Sequence, residues 1–288
     1  MTTASQPQPD EDLTMLNGLL RTHSLAELTA RTTEAIRKQP VNANERWLLF
    51  QLLCMDGEWN RALQQLQAWA KLVPDGEQRA TLYGELVRSE CFRIEVFAGK
   101  RKPGHIDPWP QWVEQLVEAN RLLAAGNVSA SDALRETALD AAPATPGTSP
   151  QVGAFEWISD SDSRLGPVFE LAVTGGYRWI PFDELSSISL APITTLIDLV
   201  WRQATVTLRS NAVLRGYAPV RYPGSEAAAA ELKLARKTEW TDIGATGVIA
   251  LGQKTWTTDH GDVGLLDLLA CRFHHDTTPD AAAPETQP

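Results

Sequence analysis

Basic residues are in short supply. Lys and Arg number 26 against 36 Asp and Glu, a formal net charge of −10 over 288 residues. Nucleic acid and anionic lipid are both held by clustered Lys and Arg, so the balance argues against either as a partner. The only basic triplet, Lys100-Arg101-Lys102, reads as a solvated helix end. Also missing is any apolar run of about 18 residues, the least that spans a bilayer as a helix. The opening MTTASQPQPDED has no positive region followed by an apolar one, so no secretory signal is expected. Cysteine is scarce: Cys54, Cys91 and Cys271 are far apart, which fits free thiols of a reducing compartment better than a disulfide framework. These absences together predict a cytoplasmic protein.

The usual signatures of chemistry are absent too. The sequence has no G-x-S-x-G elbow, no C-x-x-C and no H-x-x-x-H. GVIALGQKT (Gly247–Thr255) approaches a phosphate-binding loop, but Gln253 separates Gly252 from Lys254, and the flanking residues read as strand, not as loop and helix. DSDSR (Asp160–Arg164) opens like a calcium loop, yet Arg164, Leu165 and Leu171 stand where ligands and a glycine are required. Its residues fit helix capping by Asp162 or Ser163 and an ion pair for Arg164. His274 and His275 are adjacent, so on a strand they face opposite ways, and His260 has no partner in sequence. The expectation is therefore no catalytic residue, no metal and no cofactor.

The hydrophobic fraction, 43%, is ample for sizeable cores. From about Leu13 to Ala142 apolar residues recur at three- and four-residue steps, as in Trp47, Phe50, Leu53, Cys54 and in Leu63, Leu66, Trp69, Ala70. Pro40 and Pro74 are 34 positions apart, as are Leu25 and Trp59. That is the tetratricopeptide (TPR) period of about 34 residues. In Gly57–Pro74, Gly57 opens a turn, Ala62 allows close helix approach and Pro74 ends the helix. Residues 77–98 read as one longer helix. AAPATPGTSPQ then reads as a linker. Beyond it, short runs rich in Val, Ile, Thr and aromatics, punctuated by Gly, Pro, Asp and Ser, predict strands. Helices are expected at Arg164–Thr174, with Pro167 in the first turn, and at Glu226–Arg236. The predicted class is α+β, in five parts: a disordered acidic N-terminus (1–11), a TPR-like all-α domain (12–142), a Pro/Gly linker (143–152), a β-rich domain (153–276) and a disordered tail (277–288).

Several blocks, taken in order, resemble the TagJ/ImpE (SciE-like) family of type VI secretion accessory proteins. They are LLFQLLCMDGEWNRALQQL, RSECFRIEVFAGKRKP and APATPGT, then FEWISDSDSRLGPVFELAV, YRWIPF, PVRYPGSE, KTEW and LGQK. The resemblance runs from about Leu13 to Phe273. It implies a non-catalytic adaptor that binds the contractile sheath subunit TssB through a helix near that subunit's N-terminus. Through TssB it implies an influence on sheath assembly or on disassembly by the ATPase ClpV.

The candidate partner-binding residues fall in both halves. In the helical half they are Trp47, Phe50 and Trp59 on the repeat face, with Trp109 and Trp112 beside the irregular PGHIDPWP loop. In the β half they are Arg164, Tyr177, Trp179, Arg221 and Tyr222. Asp160, Asp183, Glu226 and Glu239 are expected to form a structural polar network, with Arg164 and Arg221 pairing to Glu226, Glu239 or Asp160. Two rival readings are an unrelated TPR-type scaffold, and an enzyme whose polar site gathers Arg164, Glu226 and Glu239.

Overall fold

The first two described helices begin where a side chain takes up free backbone amides. A computed structural model describes Gly18 and residues 24–275. The segments expected to be disordered (1–11 and 277–288), and the rest of the helical domain's first residues, lie outside that range. Helix α1 (Leu25–Lys38) opens with a capping box: the Glu27 amide donates to Ser24 Oγ at 3.2 Å, and the Ser24 amide to the Glu27 carboxylate at 2.8 Å. Arg37 and Lys38 sit in its last turn, where the helix dipole favours cations. Helix α2 (Ala43–Met55) is capped by Asn42 and buried continuously from Leu49 to Met55. A helix buried on every side is a central element.

Gly57 turns the chain into α3 (Trp59–Ala70) at φ +71, and a Cβ there would lie 2.6 Å from Glu226 Cγ. Only glycine suits both the conformation and the contact. Pro40 and Pro74 follow the ends of α1 and α3, so the 34-residue spacing does mark helix boundaries. Helix α4 (Gly76–Phe97) is the single long helix expected, and α5 (Gln111–Ala124) and α6 (Val128–Ala141) form the last pair.

The second half is strand-rich and antiparallel, which makes the chain α+β. Its strands are β1 (Gly147–Ser149), β2 (Gly153–Phe155), β3 (Ile158–Asp160), β4 (Val168–Val173), β5 (Gly176–Pro181), β6 (Leu185–Leu190), β7 (Trp201–Leu208) and β8 (Val213–Pro219). A short helix α7 (Ala230–Lys233) precedes β9 (Thr238–Ile243), β10 (Gly247–Gly252), β11 (Thr255–Thr258), β12 (Gly261–Gly264) and β13 (Ala270–Phe273). Eight strands form one sheet in the order β2-β1-β13-β6-β7-β8-β4-β5. Strands β12-β11-β3 form a second sheet, and β10-β9 a hairpin.

Three expectations fail here. The helix expected over Arg164–Thr174 is strand β4, because Val168–Ala172 is buried on both faces and pairs with β5 and β8. A strand buried on both faces shows a continuous apolar run, which periodicity alone cannot tell from helix. The 143–152 linker holds β1, which pairs with β2 and β13, and Thr145 and Ser149 are buried. The helix expected over Glu226–Arg236 is broken into a 3-10 turn (Ser225–Ala227) and α7, with Ala228 extended and Ala235 at φ +53. Alanine's high helix propensity is a weak prior that tertiary context overrides.

The helical and strand halves share their cores. Leu49, Phe50, Met55 and Leu66 belong to one apolar cluster with Leu196, Ile197, Trp201 and Leu234. The Trp59 and Trp201 rings are 5.9 Å apart. A second cluster joins Val96, Trp112 and Leu116 to Val168, Tyr177, Trp179 and Tyr222. A core shared across both halves should unfold as one unit. We therefore expect a single urea transition, with helix circular dichroism and tryptophan fluorescence coinciding. Two separated midpoints would refute it.

Candidate functional site

A carboxylate inside an apolar strand requires a cation, because a bare buried charge costs several kcal/mol. Glu170, in the VFELAV run of β4, is such a group, with its side chain fully buried. Arg93 of α4 grips it with a two-pronged contact, Nε to Oε1 at 2.6 Å and Nη2 to Oε2 at 3.0 Å. Lys254, in the β10–β11 turn, donates to Oε2 at 2.6 Å and faces Asp160 Oδ2 at 2.6 Å. The Tyr177 hydroxyl donates to Oε1 and accepts from Trp179 Nε1 at 2.6 Å. Arg93 also reaches Glu90 Oε1 at 2.9 Å, and Glu90 Oε2 accepts from Trp201 Nε1 at 3.1 Å. On the other flank the Tyr222 hydroxyl donates to Asp160 Oδ1 at 2.7 Å. Helix α4 is thus tied to β4, β5, β7 and the β10–β11 turn through one buried ionic joint.

Burial raises the proton affinity of these carboxyls, and the cations decide how far. For Glu170, burial pushes upward, but the Arg93 and Lys254 charges outweigh it and hold the carboxyl well below the usual carboxylate range. For Asp160, burial prevails over Lys254, and the carboxyl is pushed up to about 6. Burial also raises the Tyr177 and Tyr222 phenols well above their ordinary value, helped by Glu170 and Asp160 respectively.

The remaining candidate residues are dispersed. Arg164 pairs with Asp162 (Nη2 to Oδ2, 2.5 Å) and lies over the Phe97 ring at 4.8 Å, so it does not pair with Glu226, Glu239 or Asp160. Asp162 is already committed there, also accepting from Ala250 N at 3.0 Å. Arg221 does not pair with these three carboxylates either. It donates to the carbonyls of Met55, Cys54 and Lys233 at 2.9, 3.1 and 2.8 Å, closing the open end of α2. Glu226 accepts from Gly224 N at 3.0 Å. Glu239 is exposed and pairs with Lys237 at 2.7 Å. Asp183 lies in a 3-10 turn (Phe182–Glu184), its carboxyl raised by burial. Of the expected network only Asp160 joins the buried joint. Arg164, Glu226 and Glu239 do not converge into one pocket, the arrangement the enzyme reading needed.

The aromatic candidates are mostly interior. Phe50, Trp112, Tyr177, Trp179 and Tyr222 are buried, and Trp47 stacks among Phe50, Trp69 and Tyr83 at 5.1, 4.8 and 5.2 Å. Trp59 is half-buried against Trp201, and Trp109 stacks on His105 at 5.2 Å with its Nε1 buried and without a hydrogen-bond partner. Sequence reasoning missed Glu90, Arg93, Glu170 and Lys254. The available signal was Glu170 itself, a charge inside a run otherwise apolar on both faces. Among the described residues no helix is long and apolar enough to cross a membrane.

Among the described residues the helical half carries a shallow groove of about 440 Å³. It runs along one face of α1 (Ala26, Thr29, Ala30, Thr33, Glu34, Arg37) and is closed by Asp56 and Arg61 of the α2–α3 region.

Comparison with known proteins connects these features to a family. The ImpE protein family model matches residues 153–272. The type VI secretion system accessory component TagJ of Pseudomonas aeruginosa is 38% identical over 262 residues, covering 88% of this chain and 89% of that protein. This chain belongs to the TagJ/ImpE family. The family fold is also seen in the crystal structure of VPA1032 from Vibrio parahaemolyticus, with a TM-score of 0.83 over 91% of this chain and 98% of that one, at 24% identity. In this TagJ/ImpE chain the ImpE match begins just after β1 and ends in β13. It therefore holds Glu170, Lys254 and Asp160, while Arg93 lies outside it, in α4.

Two outcomes test the joint. Glu170→Gln removes the carboxylate that two buried cations share, leaving Arg93 with Glu90 alone and Lys254 with Asp160 alone, and should cost about 3–5 kcal/mol in urea unfolding at pH 7; a loss under about 1 kcal/mol would show that the joint contributes little. For Asp160, the folded value of about 6 exceeds the ordinary 3.8. Between those pH values the folded chain keeps a proton the unfolded chain has lost, so this carboxyl makes stability fall as pH rises through that window. Asp160→Asn should remove that slope, gaining up to about 3 kcal/mol on wild type between pH 4 and pH 7. A difference independent of pH would contradict the assignment.

Proposed function

We propose that this chain is a non-catalytic cytoplasmic adaptor of type VI secretion that captures the N-terminal helix of the sheath subunit TssB. By holding that helix it affects sheath assembly or ClpV-dependent disassembly. The observation that carries the reading is the 38% identity, over most of both chains, to an accessory component of that system. The geometry that favours a helix as ligand is the groove on α1. Helices in a TPR-like stack bury their apolar faces only against the next helix. The α1 groove presents Ala26, Ala30, Thr29 and Thr33, small enough for a second helix to approach closely, with Glu34, Arg37, Asp56 and Arg61 at its rim. The interior tryptophans support the groove by packing, and the buried joint keeps both halves rigid around it.

The test is capture of purified TssB, and of a peptide of its N-terminal helix, by the full chain. Wild type should bind both. Ala30→Glu, which fills the groove with a charged chain, should weaken binding by tenfold or more, roughly 1.4 kcal/mol, with the unfolding midpoint unchanged. Failure to recover TssB at low salt would end the proposal. Binding unaffected by Ala30→Glu would move the site off α1.

A further inference from the structure

Sheet edges carry unpaired backbone donors and acceptors, and most edges in this chain are closed. The outer edge of β5 is met by Gly104, whose amide donates to the Tyr177 carbonyl at 3.1 Å and whose carbonyl accepts from Trp179 N at 2.9 Å. The outer edge of β10 is met by Ser163 and Asp162, through Ser163 N to Val248 O (2.9 Å) and Ala250 N to Asp162 Oδ2 (3.0 Å). Strands β2 and β12 have three and four residues. Strand β9 is different. It has six residues, all partly or fully exposed, and pairs only with β10, in unbroken register from Thr238↔Gly252 to Ile243↔Gly247.

The register shows which groups are free. Gln253 N donates to the Lys237 carbonyl at 3.0 Å, one step beyond the first pair. Hydrogen-bonded pairs alternate along an antiparallel ladder. Glu239, Thr241 and Ile243 therefore bond to β10, while the amides and carbonyls of Thr238, Trp240 and Asp242 point outward. The edge has no proline and no bulge; what guards it is the charge of Glu239 and Asp242, which discourages pairing with an acidic or neutral strand. Trp240 is 47% exposed, yet its Nε1 is fixed on Ser161 Oγ at 2.9 Å, and Ser161 Oγ in turn meets the Tyr222 hydroxyl at 3.0 Å. A half-exposed aromatic held in place is the usual character of an interface anchor.

We propose that β9 is a docking edge at which an extended, basic segment of a partner protein adds as a further antiparallel strand. Charge selects the occupant. Lys237 is occupied by Glu231 and Glu239 at 3.1 and 2.7 Å, and among the described residues Asp242 has no ion pair. Side chains of Thr238, Trp240 and Asp242 share one face. The added strand places Lys or Arg opposite Asp242, and two positions later an aromatic or β-branched residue opposite Trp240. A second copy of this chain is a poorer occupant: its edge carries the same Glu239 and Asp242, and its Lys237 is already paired, which leaves Arg236, exposed two residues before β9, to meet Asp242. This site is separate from the α1 groove and does not depend on it.

Amide hydrogen exchange on the full chain tests the proposal, using a synthetic decapeptide that alternates Arg with Val and Tyr, and a counterpart with Glu in place of Arg. The Trp240 and Asp242 amides should exchange quickly in the free chain and slow at least about tenfold with the basic peptide only. Asp242→Pro removes an outward amide but no β9–β10 bond, and should abolish that protection with the circular dichroism spectrum retained. Asp242→Lys should shift preference to the acidic peptide, which keeps the test decisive if the proline variant folds poorly. Absence of protection by the basic peptide, equal protection by both, or concentration-dependent protection of the free chain by self-association would each overturn the proposal.

Discussion

Glu170 constrains everything around it. A carboxylate in the middle of β4 cannot be hydrated, so the chain must deliver cations to it from elsewhere. One comes from the helical half (Arg93) and one from the far side of the strand half (Lys254), and both reach it at hydrogen-bonding distance. Neither half can therefore keep this network without the other. The apolar clusters that cross the same boundary add area. The ionic joint adds direction, because a two-pronged guanidinium–carboxylate contact tolerates little rotation of α4 against the sheet.

Two buried arginines outside this joint, Arg221 and Arg202, do a different job. Arg221 takes the carbonyls at the end of α2, and Arg202 takes those of Ala191, Leu265 and Leu268 at 2.7, 2.5 and 2.7 Å. These carbonyls sit at helix ends and in loops, where no ladder partner exists, and an unpaired buried carbonyl is costly. A guanidinium with five donors serves several at once. This explains why Arg164 and Arg221, read from sequence as half of an ion network, do not meet Glu226 or Glu239. Glu239 is exposed and paired with Lys237, and Glu226 accepts from Gly224 N, while carbonyls in need of donors lie beside Arg221 and the committed Asp162 beside Arg164.

Helix spacing was legible because it is local: Pro40, Gly57 and Pro74 act on their own backbone. The long helix over residues 77–98, and the change from helices to strands, could be read for the same reason, though the strands already begin at Gly147. Strand β4 was not legible, since VFELAV carries the same apolar run whether it is a helix face or a strand buried on both sides. The joint was only half legible. Glu170 announces a buried charge, but its partners lie 77 residues before it and 84 after it, and nothing local indicates which cations will arrive. Most of the aromatic candidates lie inside for a related reason: large aromatics are valuable as core, and Phe50, Trp112, Tyr177, Trp179 and Tyr222 are core here.

The same accounting separates architecture from contact. The polar groups that look most distinctive in the sequence are mostly consumed internally, so the two proposed contacts use features that remain outside: the groove of small residues on α1 and the unpaired edge of β9. Both are held still. Leu25 and Leu28 anchor α1 in the shared core. The tip of the β9–β10 hairpin is clamped by Asp132 of α6, which accepts from Ala245 N at 2.8 Å and Thr246 N at 3.3 Å and pairs with Arg135 at 3.0 Å. A free edge on a loose hairpin would lose ordering entropy on binding, and an edge already fixed at its tip and by the Trp240 indole loses little. Rigidity produced by the buried joint and the Asp132 clamp is therefore what makes sparse surface features usable for recognition.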